Sequence, residues 1–191
     1  LTSSTHAMSE EDMISRIKFF MTLISNSSDY KDIWFTQEDI QEMIAKTEKL
    51  GFISPTFVSS KKIYRPSADQ ISTLSFYKNN IAHLFILYSL ICESIKFVKK
   101  ASEDDVVNLL VMIYPIFAKD FHLKQSIAST ETVKAAMVVL KGMGVLNSDE
   151  EGNIVPPSEN SPSFNNYIAL SNLCEPSLKR FYIVMSSIWK K

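Results

Sequence analysis

Glycine is scarce in this chain, with only four among 191 residues: Gly51, Gly142, Gly144 and Gly152. A loop that cradles a nucleotide phosphate needs several glycines around one turn, because its backbone N–H groups must approach the phosphate closely. No segment has that pattern. Nucleotide binding of the usual kinds is therefore excluded.

Cysteine and histidine are rare as well, with two and three residues. Two cysteines cannot build a disulfide scaffold or a cysteine-rich zinc site. Cys92 and Cys174 both stand in apolar segments, which favours buried, reduced thiols and a cytoplasm-facing compartment. His6, His83 and His122 lack the spacing of metal ligands. We expect no metal and no other cofactor.

An excess of one charge is also lacking, since 20 Lys and Arg residues oppose 21 Asp and Glu residues. A nucleic-acid-binding surface normally needs a clustered basic excess, so nucleic acid is not expected as a partner. The longest apolar run, 81–95, contains four polar residues and is shorter than the roughly 20 apolar residues that span a bilayer. We expect a soluble region, and the missing initial methionine predicts a piece of a longer protein.

Apolar residues recur mostly at helical spacing, which predicts a mainly α fold. The longest periodic segment, 71–100, is predicted to be a long central helix that is apolar almost all round and therefore buried. Pro115 is expected to break or kink a later helix, and Pro176 to kink or restart the last one, 164–189. Other helices are predicted to begin at four caps or first residues: Ser9, Thr36, Ser102 and Thr130.

Two short β-hairpins are predicted, each after a helix that ends at a glycine. The first comprises 52–58 and 62–64, where Pro55 indicates an edge strand or a bulge. The second comprises 145–146 and 154–155. Each helix with its hairpin resembles part of a winged helix. We therefore expect three segments, given in chain order: an N-terminal helical and hairpin unit (1–70), the central helix with a second such unit (71–157) and C-terminal helices (158–191).

A group of polar residues interrupts the apolar central segment. Asn79, Asn80 and His83 would share one side of a continuous helix, with Tyr77 and Lys78 adjacent. An unsatisfied buried polar group costs roughly 1–3 kcal/mol, so such a group must be hydrogen-bonded if it is buried. Two interpretations are open. The group is either a satisfied network that fixes how the helix docks, or one wall of a substrate site or domain interface.

Two further surfaces invite a binding interpretation. Lys96, Lys99 and Lys100 form either a contact with anionic lipid or a solvated helix end. The winged-helix resemblance suggests a groove-binding helix, but the candidate helix 37–49 is acidic and would gain little from phosphate contacts. A free-standing adaptor that binds protein, and DNA only in second place, is therefore the alternative function.

Residues 74–84, Leu-Ser-Phe-Tyr-Lys-Asn-Asn-Ile-Ala-His-Leu, resemble a signature of membrane-associated glycerol-3-phosphate acyltransferases, which are chiefly bacterial. The signature lies downstream of the catalytic domain in that family. Residues 111–115 resemble the family's hydrophobic Tyr-Pro step, and 178–182 resemble its later Leu-x-Arg-aromatic helix. The resemblance extends over nearly the whole chain.

The family's catalytic His-x-x-x-x-Asp motif is absent from this sequence. The residues five positions after His6, His83 and His122 are Glu11, Tyr88 and Ile127. The resemblance thus implies a C-terminal, post-catalytic region with no catalytic residue of its own. Tyr77, Lys78, Asn79, Asn80 and His83 are then expected to face the catalytic domain or its substrate.

The resemblance also implies what the parent protein does. It would transfer an acyl group from acyl-CoA or acyl carrier protein to glycerol 3-phosphate, the first step of phospholipid biosynthesis. Its partners would be these substrates and the catalytic domain of the same polypeptide. The parent would lie peripherally on the cytoplasmic face of a membrane.

Overall fold

The computed structural model describes residues 7–27, 30, 32–36, 38–121, 123 and 127–189, with side chains described only up to residue 179 in the last helix. The described part is mainly helical, which confirms the expected fold class. The chain divides into two compact units, Leu1–Ile81 and Ala82–Lys191. The three-part division into 1–70, 71–157 and 158–191 stays a prediction.

The first unit combines helices with a small antiparallel sheet. Its elements are β1 (Met8–Ser9), α1 (Glu10–Ser25), α2 (Ile40–Lys49), β2 (Ile53–Val58), β3 (Lys61–Pro66), a 3-10 turn (Ala68–Gln70) and α3 (Ile71–Ala82). The second unit takes over at Ala82, the last residue of α3. Its elements are α4 (Ile86–Val98), α5 (Glu103–Asp120), α6 (Thr130–Gly142), β4 (Asn147–Ser148), β5 (Ile154–Val155) and α7 (Phe164–Trp189).

Side-chain caps set the starts of three helices. The hydroxyl oxygens of Ser9, Ser102 and Ser129 each accept a backbone N–H from three residues further on, at 3.1–3.2 Å. Acidic residues follow each cap, where the helix dipole favours them. These starts confirm the predictions for α1, α5 and α6.

Helix α2 begins later than predicted. Its N-cap is Asp39 rather than Thr36. The Thr36 hydroxyl instead accepts the N–H of Glu38, at 3.2 Å, and so it closes a short turn before the helix. Gly51 has a φ of +77° just after the helix end, which is the predicted role of that glycine.

The first hairpin, β2–β3, lies in a three-stranded sheet with the order β1-β3-β2. Strand β2 is therefore an edge strand, as Pro55 predicted. Strand β1 was not predicted, because a segment of two residues is too short to show an alternating strand pattern. The sheet covers a core of Met13, Ile44, Ile53 and Tyr64.

An ion pair joins α2 to this sheet. Lys62 Nζ lies 2.8 Å from Glu48 Oε2, and the hydroxyl of buried Tyr64 donates to the same oxygen at 3.1 Å. The Lys62 ammonium also lies 4.8 Å from the centre of the Tyr64 ring. The hydrogen bond from Lys62 lowers the pKa of Glu48, so the carboxylate stays ionised and keeps both contacts.

The segment 71–100 does not form one central helix, and this correction matters for the site. Helix α3 ends at Ala82, a turn occupies 83–85, and α4 begins at Ile86. The Phe85 N–H donates to the Ala82 carbonyl at 2.9 Å, closing that turn. No glycine or proline marks the break, and the apolar spacing continues through it, so the sequence pattern could not reveal it.

Helix α4 fulfils the prediction of a buried helix, whereas α3 does not. The side chains of α4 that lie in the core are those of Ile86, Tyr88, Ser89, Leu90, Ile91, Cys92 and Ile95. Helices α5, α6 and α7 all pack against α4. In α3, only Ala82 is buried.

Both internal prolines lie within continuous helices. Helix α5 runs through Pro115 to Asp120, so of the two expected outcomes, a break or a kink, the break is wrong. Pro176 likewise lies inside α7, so the helix does not restart there. Both prolines are exposed. Each proline ring therefore lies at the surface rather than against the packed core.

The second hairpin begins two residues later than predicted, at Asn147. Val145 and Leu146 do not pair as a strand, because their N–H groups both donate to the Leu140 carbonyl and complete the end of α6. Gly144 has a φ of +67° at this turn. The repeated order of helix, glycine and hairpin is nevertheless confirmed in both units.

The buried hydroxyl of Ser89 joins α4 to α7. Ser89 Oγ donates to the Leu170 carbonyl at 2.6 Å and accepts the Cys174 N–H at 3.0 Å. In a regular helix these two backbone groups pair with each other. The Ser89 side chain therefore connects the two helices through the backbone of α7, shortly before Pro176.

We expect Ser89→Ala to lower the free energy of unfolding by about 1–3 kcal/mol, because the substitution removes two buried hydrogen bonds. Urea unfolding of the 191-residue chain measures the change. Ser94→Ala is the matched control, since the Ser94 hydroxyl donates only within α4, to Leu90. Its expected effect is within about 0.5 kcal/mol. Equal effects of the two substitutions would contradict a special role for Ser89.

Candidate functional site

The candidate site centres on α3, a helix that exposes apolar side chains to solvent. Phe76 is 61% exposed, Tyr77 53% and Ile81 54%. Large apolar side chains gain about 1.5–3 kcal/mol each on full burial, so a cluster of exposed ones on one short helix is characteristic of a contact surface.

The hairpin of the first unit holds α3 in place. The Tyr77 ring meets the Phe52 ring edge-to-face, with centroids 6.1 Å apart. The Ser67 N–H donates to the Phe52 carbonyl at 3.0 Å, and the hydroxyls of Ser54 and Ser67 lie 2.8 Å apart. These contacts hold α3 against the first hairpin.

The predicted polar group is distributed over two structural elements. Tyr77, Lys78, Asn79 and Asn80 lie on α3, with both asparagines exposed and Lys78 half-buried. His83 lies in the turn directly after the helix, so the continuous helix expected to carry it with the asparagines is not present. Because the asparagines are exposed, no burial penalty demands a network there. Their role in a contact surface stays a prediction.

The lysines at the end of α4 are largely engaged within the second unit. Lys96 Nζ donates to Asn172 Oδ1 at 3.0 Å and lies 3.3 Å from Glu93. Lys100 Nζ lies 2.7 Å from carboxylate oxygens of both Asp149 and Glu151. Two of the three candidate lipid-binding lysines are therefore already neutralised, which favours the interpretation as a helix end.

The ion pair with Lys100 gives a prediction for acid stability. It lowers the pKa of Asp149 from 3.8 to about 2. A lowered carboxyl pKa adds stability that is present above the unfolded-state pKa and is lost as the pH falls through the folded-state value. We therefore expect the melting temperatures of the unmodified chain and Asp149→Asn to differ most above pH 4 and to converge towards pH 2.

Thermal unfolding followed by circular dichroism between pH 5 and pH 2 measures this convergence. Glu150→Gln is the control, because Glu150 is an exposed neighbour without an ion pair in the described part of the chain. Its melting temperature should follow that of the unmodified chain at every pH. A pH-independent difference for Asp149→Asn would show that Lys100 does not hold this carboxylate.

The two cysteines are free and buried, as predicted. Burial raises the pKa of the Cys174 thiol to about 12 and raises that of Cys92 as well. Such thiols are protonated and unreactive at neutral pH. No three His, Cys, Asp or Glu side chains in the described ranges lie together so as to hold a metal. His6 and His122 lie outside the described residues.

Within the described residues, no single helix has the length and apolar character to cross a membrane. Only the bent pair Ala68–Ala82 with Ile86–Val98 meets those criteria jointly.

Sequence reasoning missed the apolar part of this surface. Ile81 follows the same periodicity as the buried residues of α4, so pattern alone assigned it to a core, and Phe76 was not singled out. The tip of the first hairpin, with Phe57 70% exposed, was likewise not singled out. Only the neighbouring polar residues, Asn79 and Asn80, indicated that this side of α3 is not a core face.

Comparison with known proteins agrees with the resemblance. Residues 1–191 match the family described as the glycerol-3-phosphate acyltransferase C-terminal region. All of this chain aligns with part of the glycerol-3-phosphate acyltransferases of Alteromonas mediterranea (26% identity), Pseudoalteromonas atlantica (22%) and Xylella fastidiosa (22%). No solved structure matches.

The chain corresponds to only 23%, 24% and 22% of the length of those three relatives. The match to the family nonetheless includes all of the structural elements described above. The chain therefore belongs to the family of glycerol-3-phosphate acyltransferase C-terminal regions.

Proposed function

We propose that this chain is the non-catalytic C-terminal domain of a glycerol-3-phosphate 1-O-acyltransferase, and that α3 packs against the catalytic domain of the same polypeptide. The exposed apolar face of α3 is the observation that carries this proposal. Family membership favours it over a free-standing adaptor, because relatives that bear this name are about four times longer than the chain.

The composition of α3 suits a domain interface better than an isolated surface. Interfaces typically combine an apolar, aromatic centre with a polar rim. Phe76, Tyr77 and Ile81 supply the centre, and Asn79 and Asn80 supply exposed amides at its edge. His83 follows directly in the chain and is half-buried. Four of the predicted residues, Tyr77, Asn79, Asn80 and His83, are thereby placed at or beside the proposed contact, and half-buried Lys78 lies among them in the chain.

The proposed reaction of the parent protein is acyl transfer from acyl-CoA or acyl carrier protein to glycerol 3-phosphate. This region supplies no base for that reaction, because no histidine in it is followed by aspartate at the family's spacing. Its contribution is to complete the fold or the substrate pocket of the catalytic domain. The parent acts peripherally at the cytoplasmic face of a membrane, where its acylated product belongs.

Substitution on α3 of the full-length acyltransferase tests the proposal. We expect Ile81→Ser to lower the rate of acyl transfer to glycerol 3-phosphate about five- to tenfold, the effect of removing a central interface side chain, and Asn80→Ala, at the polar edge, to lower it about twofold. The same substitutions in the 191-residue chain should leave its melting temperature unchanged, because both side chains are exposed there.

Matched controls lie on α5, where Asn108 and Met112 are also exposed. Asn108→Ala and Met112→Ser should leave acyl transfer unchanged. Full activity of both α3 variants would refute the proposed interface. A fall in the melting temperature of the isolated chain would show instead that α3 acts within this region alone.

A further inference from the structure

The tip of the first hairpin combines exposed apolar side chains with a lysine. Phe57 and Val58 end β2 and are 70% and 51% exposed. Ser59 and Ser60 form the turn, both with positive φ (48° and 67°), as a tight two-residue hairpin turn requires. Lys61, also exposed, begins β3 opposite Val58. Two large apolar groups thus stand at the end of a narrow projection.

All charged residues of this hairpin are basic. Residues 52–66 contain Lys61, Lys62 and Arg65 and no acidic residue. Glu48 neutralises Lys62, but Lys61 and Arg65 make no ion pair among the described residues. The tip therefore presents uncompensated positive charge beside its apolar side chains.

The corresponding hairpin of the second unit has the opposite character. Residues 145–157 contain Asp149, Glu150 and Glu151 and no basic residue. Asp149 and Glu151 bind Lys100, so this hairpin is held within its own unit. The two hairpins follow helices in the same order, yet only the first has a free, basic and apolar tip. The basic apolar tip is therefore not a general requirement of the helix–hairpin arrangement.

An anionic membrane surface matches both properties of the first tip. Apolar side chains gain free energy in the acyl boundary, while lysines remain at the level of the headgroups. A lysine near an anionic surface contributes about 1 kcal/mol. Nucleic acid matches less well, because the neighbouring helix α2 exposes Glu42 and phosphates would leave Phe57 and Val58 in water.

We propose that the first hairpin tip, residues 57–61, inserts into the surface of an anionic lipid bilayer. This inference rests on the peripheral membrane contact in the proposed function and assigns it to a surface separate from the exposed face of α3. Phe57 and Val58 enter the acyl boundary, and Lys61 binds the anionic headgroups.

Vesicle sedimentation with the full 191-residue chain tests the tip. The chain should bind vesicles of phosphatidylcholine with phosphatidylglycerol more tightly than vesicles of phosphatidylcholine alone. Phe57→Ser should weaken binding about tenfold, through loss of an inserted aromatic side chain. Lys61→Glu should weaken it at least about fivefold.

Val138→Ser and Lys119→Glu are the matched controls, because Val138 is 68% exposed and Lys119 is an exposed lysine near the end of α5. Both should bind vesicles within about twofold of the unmodified chain. Binding that is absent in the unmodified chain, or equally weakened by tip and control substitutions, would overturn the proposal. The vesicle experiment does not measure acyl transfer, so a negative result would leave the proposed acyltransferase assignment unaffected.

A polarity-sensitive fluorophore provides a second readout that does not depend on removing a side chain. Attached at Ser60→Cys, it should shift to shorter wavelength when anionic vesicles are added. Attached at Glu150→Cys, at the tip of the second hairpin, it should not shift. The native thiols are buried and will not compete for the label. Equal spectra at Ser60→Cys with and without vesicles, or a shift only on adding duplex DNA, would contradict insertion into lipid.

Discussion

The burial of α4 is the constraint on which the second unit depends. A helix that is apolar almost all round must be covered on every side, and α5, α6 and α7 provide that cover. Its buried hydroxyl, Ser89 Oγ, donates to a carbonyl and accepts an N–H of the α7 backbone. The chain leaving α4 then pairs through Ala101 with Ile154 of β5, and Lys100 holds the acidic turn. One buried helix thereby positions every other element of its unit.

Helix α3 differs from α4, because its apolar side chains have a similar spacing but remain exposed to solvent. Leaving Phe76, Tyr77 and Ile81 in water forgoes stabilisation that burial would supply. Such a surface is understandable in a region that corresponds to about a quarter of its relatives' length. The two units therefore differ in kind, since one is organised around a buried helix and the other presents a helix outward.

Local chemistry made much of the fold predictable. Serine caps followed by acidic residues marked the starts of α1 and α5, and Gly51 and Gly144 marked the ends of the helices before the hairpins. The break at 83–85 was not predictable, because the apolar spacing continues through it without a glycine or proline. That spacing also does not show whether an apolar side chain is buried or exposed. Pro115 was expected to break or kink α5, but it lies at an exposed position inside a continuous helix, which the sequence does not state. For the site, Asn79 and Asn80 pointed to α3, whereas Phe76 and the hairpin tip needed the exposures of individual side chains.

The central claim is that α3 is covered by another part of the same polypeptide. Hydrogen–deuterium exchange of the 191-residue chain and of the proposed full-length protein tests it most directly, with the α4 amides, which are buried in this chain, as the internal reference. The account predicts slower exchange for the amides of α3 in the full-length protein and unchanged exchange for α4. Identical exchange of α3 in the two proteins would contradict it.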